Sequence, residues 1–192
     1  MIPATLLAVN TTVTVTVPAT ITMGQSSVPP GNYSQLLAAK AIWSVGSCSS
    51  PSLLYAGSQN FTFTAKATVA KSCNITTNDL IFPPAGDLNT PIDGQTTLNV
   101  QCTKGTPYTI GLNGGTSGAT DPTARLMKKG TESIRYGLYQ QAGGVAPWGA
   151  TSTIGGTGNT FYLPTIVYGR VPVQPTPSPG TYTDTIIATV TY

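Results

Sequence analysis

The sequence predicts an all-β protein folded as a β-sandwich. The first observation behind that expectation is the stretch P-G-T-Y-T-D-T-I-I-A-T-V-T-Y, from Pro179 to Tyr192. Side chains alternate across a strand. Tyr182, Asp184, Ile186, Ala188, Val190 and Tyr192 therefore share one face, while threonines and Ile187 fill the other. That is a half-buried strand entered through a Pro-Gly turn. The second observation is composition. Only 8% of residues are charged and 40% are hydrophobic, with 21 glycines and 16 prolines. Thr and Val favour strands, and Gly and Pro break helices. The third is a repeat. P-G-N-Y-S-Q-L-L-A-A-K-A-I-W, from Pro30 to Trp43, matches the closing stretch at one constant offset, Tyr33 with Tyr182, Ala39 with Ala188 and Trp43 with Tyr192.

Taken in order, N-T-T-V-T-V-T-V (Asn10–Val17) is a strand by strict alternation, and Pro18 stops it or marks an edge. Val28-Pro29-Pro30-Gly31 is a turn into the first closing strand. Residues 1–45 are thus expected to be the C-terminal remnant of a first β-sandwich domain. Residues 46–59 read as a linker from their Ser, Gly and Pro content. A complete domain is expected over 60–192.

In that domain Phe61, Phe63, Ala65, Ala67 and Val69 alternate with polar residues. Leu80-Ile81-Phe82 is expected as a short buried strand closed by Pro83-Pro84. Gly94 precedes a strand with Leu98, Val100 and Cys102 inward, and Tyr108, Ile110 and Leu112 mark the next. Asn113–Ala119 is a Gly-rich loop, Leu126-Met127 an apolar anchor and Lys128-Lys129-Gly130 a hairpin-like turn. Ile134, Tyr136 and Leu138 alternate again. Ala142–Asn159 is expected as a long Gly-rich loop carrying Trp148, followed by a strand over Phe161–Val171. Roughly seven short strands separated by turns point to an Ig-like sandwich. Its last strand carries one charge, Asp184, and no proline after Pro179, so its edge is not blunted against pairing with another chain.

Chemistry is sparse. There is no histidine and a single glutamate, Glu132, which removes His-based acid–base catalysis and His-containing metal sites. The five aspartates are scattered through turn-like contexts. The glycine stretches lack the Gly-Lys-Ser/Thr of a phosphate loop. No nucleophile has a convincing base beside it. The expectation is a protein with no catalytic residues, no metal and no cofactor. A net charge of +3 with no basic run beyond Lys128-Lys129 gives no nucleic-acid footprint. No stretch approaches transmembrane length, so no membrane insertion is expected.

Of the three cysteines, Cys73 and Cys102 each end a strand-like stretch. They read either as a disulfide joining neighbouring strands in an oxidising compartment or as two buried free thiols. Cys48 is left without an evident partner. The opening residues lack the positive region and the apolar length of a secretory signal, so preceding sequence is expected to be missing.

Five segments together resemble the spore coat protein U (SCPU) domain: F-T-F-T-A-K-A-T-V-A-K-S-C-N-I (Phe61–Ile75), T-T-L-N-V-Q-C (Thr96–Cys102), I-R-Y-G-L-Y (Ile134–Tyr139), Y-G-R-V-P (Tyr168–Pro172) and the closing stretch (Pro179–Tyr192). That family includes the pilins and two-domain tip subunits of archaic, Csu-type chaperone–usher pili. The resemblance covers Asn60–Tyr192 fully and Val9–Trp43 as the tail of a second copy. It implies an incomplete, pilin-type Ig-like fold, completed by a donor strand. It implies a polymerisation groove edged by Phe61, Phe63, Ala65, Ala67 and Val69 on one side and by Ile186, Ala188, Val190 and Tyr192 on the other. The partners implied are a periplasmic pilus chaperone, an outer-membrane usher and other pilus subunits. The Tyr192 carboxylate is expected to anchor to basic residues of the chaperone. Cys73 and Cys102 occupy the family's disulfide positions. The function implied is a structural and adhesive subunit of a surface pilus, supporting attachment and biofilm formation, passing through the periplasm to the cell surface. The alternatives are a spore or cell coat protein, and a secreted carbohydrate-binding β-sandwich module. The chain departs from the family in showing no signal peptide and only the last strands of a first domain.

Two stretches carry a second reading. Val9–Val17 has the alternation of a donor strand and also that of an ordinary strand of the first domain. Trp148 and Tyr139 have the chemistry to stack on a sugar, and equally to pack in the core or a loop.

Overall fold

The structure, a computed structural model, describes residue 20, residues 27–44 and residues 56–192, without the side chains of residues 42–44 and 56. The expected strand over 10–17, Cys48 and residues 46–55 of the expected linker lie outside the described residues. Eleven strands and no helix run through those that are described. Strands β3 (Cys73–Thr77), β4 (Ile92–Cys102), β10 (Leu163–Val171), β7 (Glu132–Gln141) and β6 (Arg125–Lys129) lie side by side in that order, with β8 (Val145–Pro147) against β7. A second sheet runs β11 (Ala188–Thr191), β5 (Pro107–Leu112), β9 (Ile154–Thr157). Every pairing is antiparallel.

The two sheets enclose one core. Leu98 and Val100 of β4, Tyr136 and Leu138 of β7, and Val167 and Val171 of β10 meet Tyr108, Ile110 and Leu112 of β5. Burying each of the large aliphatic side chains contributes roughly 1.5–3 kcal/mol. Trp148 is fully buried, and its indole N–H donates to the Ile110 carbonyl at 2.9 Å, so its role is core packing rather than sugar stacking. Cys73 and Cys102 stand opposite each other in the β3–β4 register and form a disulfide.

Arg125, the first residue of β6, is also fully buried. Among the described residues, no carboxylate pairs with it. Its guanidinium donates instead to four main-chain carbonyls: Asn113 at 2.8 Å, Pro122 at 2.5 Å, Leu112 at 3.2 Å and Trp148 at 2.9 Å. One side chain thereby ties the end of β5, the loop before β6 and the Trp148 segment together. Burial pushes its pKa down, and the Tyr136, Asp184 and Asp121 groups push it back up.

Strands β1 (Gly31–Ser44) and β2 (Ala56–Val69) form a separate two-stranded ribbon, paired along their whole length from Gly31↔Val69 to Ser44↔Ala56. β2 thus begins at Ala56, inside the stretch read as linker. Tyr33, Leu37 and Ala39 share a face with Phe61, Phe63, Ala65 and Ala67. Tyr33, Leu37, Phe61 and Phe63 are exposed.

The sequence repeat is also a repeat of local structure. Gly31 and Gly180 have φ of 159° and 150°. The Tyr33 hydroxyl donates to the Pro29 carbonyl at 2.7 Å, and the Tyr182 hydroxyl donates to the Ser178 carbonyl at 2.8 Å. Each closing stretch therefore opens with the same Pro-Gly corner, locked by a tyrosine four residues downstream of the carbonyl.

Three expectations need correction. Leu80–Phe82 is not a strand: it has no ladder partner among the described residues, and Pro83-Pro84 offer no N–H to one. Residues 142–159 are not one loop. Gly143 and Gly144, at φ of 77° and 81°, turn β7 into β8, and Ile154 pairs with Ile110 to start β9. The closing stretch is not one continuous ladder. It bridges Lys128 of β6 at Thr183 and joins β5 only from Ala188.

Replacing Arg125 by Ala is expected to destabilise the protein by roughly 3–5 kcal/mol in urea denaturation, because each buried group left unsatisfied costs about 1–3 kcal/mol. Replacing Cys73 and Cys102 together by Ser is expected to cost about 2–4 kcal/mol in the same assay.

Candidate functional site: an apolar groove beside an unpaired edge

The closing stretch Tyr182–Val190 keeps the alternation read from the sequence. Tyr182, Asp184, Ile186, Ala188 and Val190 are half-buried, and Thr181, Thr183, Thr185, Ile187 and Thr189 are exposed. Its main chain is used on one side. Thr183 exchanges hydrogen bonds with Lys128, at 2.8 and 3.1 Å. The Ile187 carbonyl accepts from the Asn113 N–H at 3.0 Å, and the Ile187 N–H donates to Asn113 Oδ1 at 2.9 Å. Thr183 and Ile187 thus turn their N–H and C=O groups toward β6 and the end of β5. Strand geometry turns those of Tyr182, Asp184 and Ile186 the other way. Among the described residues, these have no main-chain hydrogen-bond partner.

Beside that free edge lies a groove of about 780 Å³. Gly180–Ile186 and Ala188 form one wall, and Thr77–Ala85 the other. The floor is the core itself, with Leu98, Leu138, Val167 and Val171. The second wall depends on two glycines facing each other across β4 and β10, Gly94 and Gly169. A Cβ on Gly94 would come within 2.9 Å of the Ile81 carbonyl, and one on Gly169 within 2.8 Å of the Phe82 ring. Leu80 and Phe82 can therefore lie directly on the sheet, with Phe82 edge-on to Tyr136 at 6.1 Å. Ile81 between them is 75% exposed.

Asp184 pins the first wall. Its Oδ1 accepts from the Thr116 N–H at 2.8 Å and the Thr116 hydroxyl at 2.7 Å, and its Oδ2 from the Tyr136 hydroxyl at 2.8 Å. Gly115 makes this approach possible, since a Cβ there would sit 2.0 Å from Oδ2. Burial alone raises the Asp184 pKa. The hydrogen bonds from Thr116, Tyr136 and the Thr185 N–H outweigh it, and the pKa falls below its ordinary 3.8. Tyr136 moves the opposite way, raised by burial and by the carboxylate it donates to. At the Pro-Gly corner, Glu132 accepts from the Ser178 hydroxyl and N–H and from the Tyr182 hydroxyl, which lowers its pKa to about 2.

Of the residues expected to edge a groove, Ile186 and Ala188 line it, and Val190 packs against the core. Tyr192 stands at the end of the stretch, 53% exposed. Phe61, Phe63, Ala65, Ala67 and Val69 are held in the β1–β2 ribbon and do not line the groove. The Leu80–Phe82 wall was not expected as part of a site. Its only sequence signal is an apolar triplet stopped by two prolines.

An antiparallel sandwich with an apolar groove beside a strand edge that is unpaired among the described residues is the class of structure these features define. The chain belongs to the Spore Coat Protein U domain family, whose sequence pattern matches residues 59–189. It is similar to Protein U of Myxococcus xanthus, 35% identical over 116 residues, covering 55% of this chain and 63% of that protein. Its fold is similar to that of a chain in the crystal structure of the CsuC–CsuE chaperone–tip adhesion subunit pre-assembly complex from archaic chaperone–usher Csu pili of Acinetobacter baumannii. The TM-score there is 0.57 at 20% identity, over 86% of this chain and 60% of that one. The chain therefore spans less than two thirds of the length of either relative. The likeness confirms the Ig-like β-sandwich.

Acid is expected to weaken the protein. Both carboxylates have folded pKa values below their unfolded ones, so their contribution is complete above about 4.5 and is lost as pH falls toward 2. Thermal melting across that window should show the loss, and Asp184→Asn should lower the melting temperature at neutral pH while flattening the acid dependence.

Proposed function

We propose that this protein is a structural subunit of a bacterial surface pilus assembled by the chaperone–usher pathway, and that the groove is its polymerisation site. The observation that supports this reading is the free main-chain edge of Tyr182–Ile186 lying against an open apolar groove. An added strand gains main-chain hydrogen bonds from such an edge and specificity from alternate side chains set into pockets. A periplasmic chaperone fills the groove first, with the Tyr192 carboxylate against its basic residues. At the outer-membrane usher, a strand of the next subunit replaces it. Ile186, Ala188 and Val190 supply the apolar face of the closing wall. Phe61, Phe63, Ala65, Ala67 and Val69 form a second edge once β2 leaves β1. The repeated Pro-Gly corner supports a two-domain, tip-like subunit, with attachment and biofilm formation as its role, residues 1–45 as the tail of the first domain and residues 60–192 as the second. The likeness to Protein U favours a second reading, a coat protein that uses the same groove for assembly.

The test is thermal melting of residues 59–192, exported to an oxidising periplasm, with and without a pilus chaperone or a peptide of residues 7–17. Poor solubility alone and a large rise in melting temperature with either partner are the expected results. A peptide carrying proline in place of Val13 or Val15 should stabilise far less, because it cannot complete the ladder. A soluble domain that melts cooperatively and ignores both partners would overturn the reading.

A further inference from the structure

The outer face of the larger sheet, opposite the groove, carries a second concavity of about 220 Å³. Gln95, Tyr168 and Tyr139 stand side by side across β4, β10 and β7 and line it. The loop over residues 142–144 forms its rim. Val167 and Val171 face the core, so Tyr168 and Arg170 face outward. The cleft is shaped before any ligand arrives. The Tyr139 ring lies against Gly137, where a Cβ would come within 2.5 Å of its hydroxyl oxygen. Arg170 holds the rim by donating to the Gly143 carbonyl.

The chemistry of the cleft selects one ligand class. Arg170 is 2.8 Å from Asp93 Oδ1 through Nε and donates to Oδ2 through Nη2 at 3.1 Å. Cation and carboxylate thus offset each other, and the cleft carries no net charge to favour an ionic ligand. Gln95, Tyr139 and Tyr168 line the cleft, and among the described residues no hydrogen bond engages the two hydroxyls or the amide. A purely apolar ligand would bury these groups unpaired, which is costly. What remains is a neutral ligand with an apolar face and several hydroxyl groups. The volume lies below the roughly 300–1,000 Å³ of pockets for drug-sized molecules. We propose that this cleft binds a single pyranose ring, as a sugar-binding subsite on the side of the domain away from the groove. Tyr139 and Tyr168 supply aromatic surface, and the two phenols and Gln95 supply hydrogen bonds.

The test is saturation-transfer NMR on the full chain, using a panel of methyl glycosides of gluco, galacto, manno and 2-acetamido configuration. Saturation of the ring protons of at least one sugar is expected. Tyr168→Ala should weaken that binding at least about tenfold, the scale of one lost aromatic contact. Gln95→Ala, at an exposed position that leaves the packing intact, should weaken it as well. Tyr162→Ala, outside the cleft, and a strand peptide in the groove should leave it unchanged. No saturation of any sugar in the panel, or equal binding by the parent, Tyr168→Ala and Gln95→Ala proteins, would overturn the proposal. Either result is independent of whether the groove accepts a strand.

Discussion

A β-sandwich buries its core only where strands or loops cover both sides of it, and among the described residues one side is left open. The closing stretch packs Ile186, Ala188 and Val190 against the core, yet among the described residues the main chain of Tyr182–Ile186 is used on one edge alone. Much else in the fold follows from that imbalance. Leu80–Phe82 lies on the sheet as an extended segment rather than a strand, because no strand among the described residues adjoins it. Gly94 and Gly169 are bare so that this segment can come close. The apolar floor between the two walls remains accessible along the gap.

Apolar packing seats both walls, and polar contacts add to it on the closing stretch. Asp184 collects two donors from Thr116 and one from Tyr136, which fixes the start of the closing stretch. Arg125 gathers four carbonyls from separate segments and fixes the loops behind it. Buried polar groups of this kind specify a geometry because a displaced donor or acceptor finds no substitute. The outer face of the same sheet uses a similar device on a smaller scale, where Arg170 joins Asp93 to the Gly143 turn.

Much of this was legible in the sequence, and the limits have physical causes. Period-two alternation located the closing stretch and β2, and Cys73 and Cys102 fell in register as neighbouring strand ends. The Pro-Gly-x-Tyr repeat predicted two equivalent corners, which share both a φ value and a hydrogen bond. Strand lengths were harder to read, because alternation reports which side chains are buried and not which main-chain groups are paired. Tyr182–Ile187 alternates as a strand does, and among the described residues it has one bridge, at Thr183, in place of a ladder. β9 was hidden by its glycines, one of which leaves room for the Tyr108 ring. Arg125 gave no local sign of its burial, because every carbonyl it contacts is placed by the tertiary fold. The pairing of β2 with β1 was equally invisible, since each reads alone as a half-apolar strand.

The disulfide has a mechanical consequence. It joins the first residue of β3 to the last residue of β4, and β3 follows β2 after only a few residues. Tension applied to the chain through the β1–β2 ribbon meets the hydrogen bonds between Ser72 and Thr103 and then Cys73, the first residue of β3. At that point the load crosses a covalent bond into β4, which is flanked on both sides within its sheet. β3, an edge strand of five residues, is spared from being peeled away one hydrogen bond at a time. A domain pulled from this end must yield elsewhere, by shearing longer ladders at once.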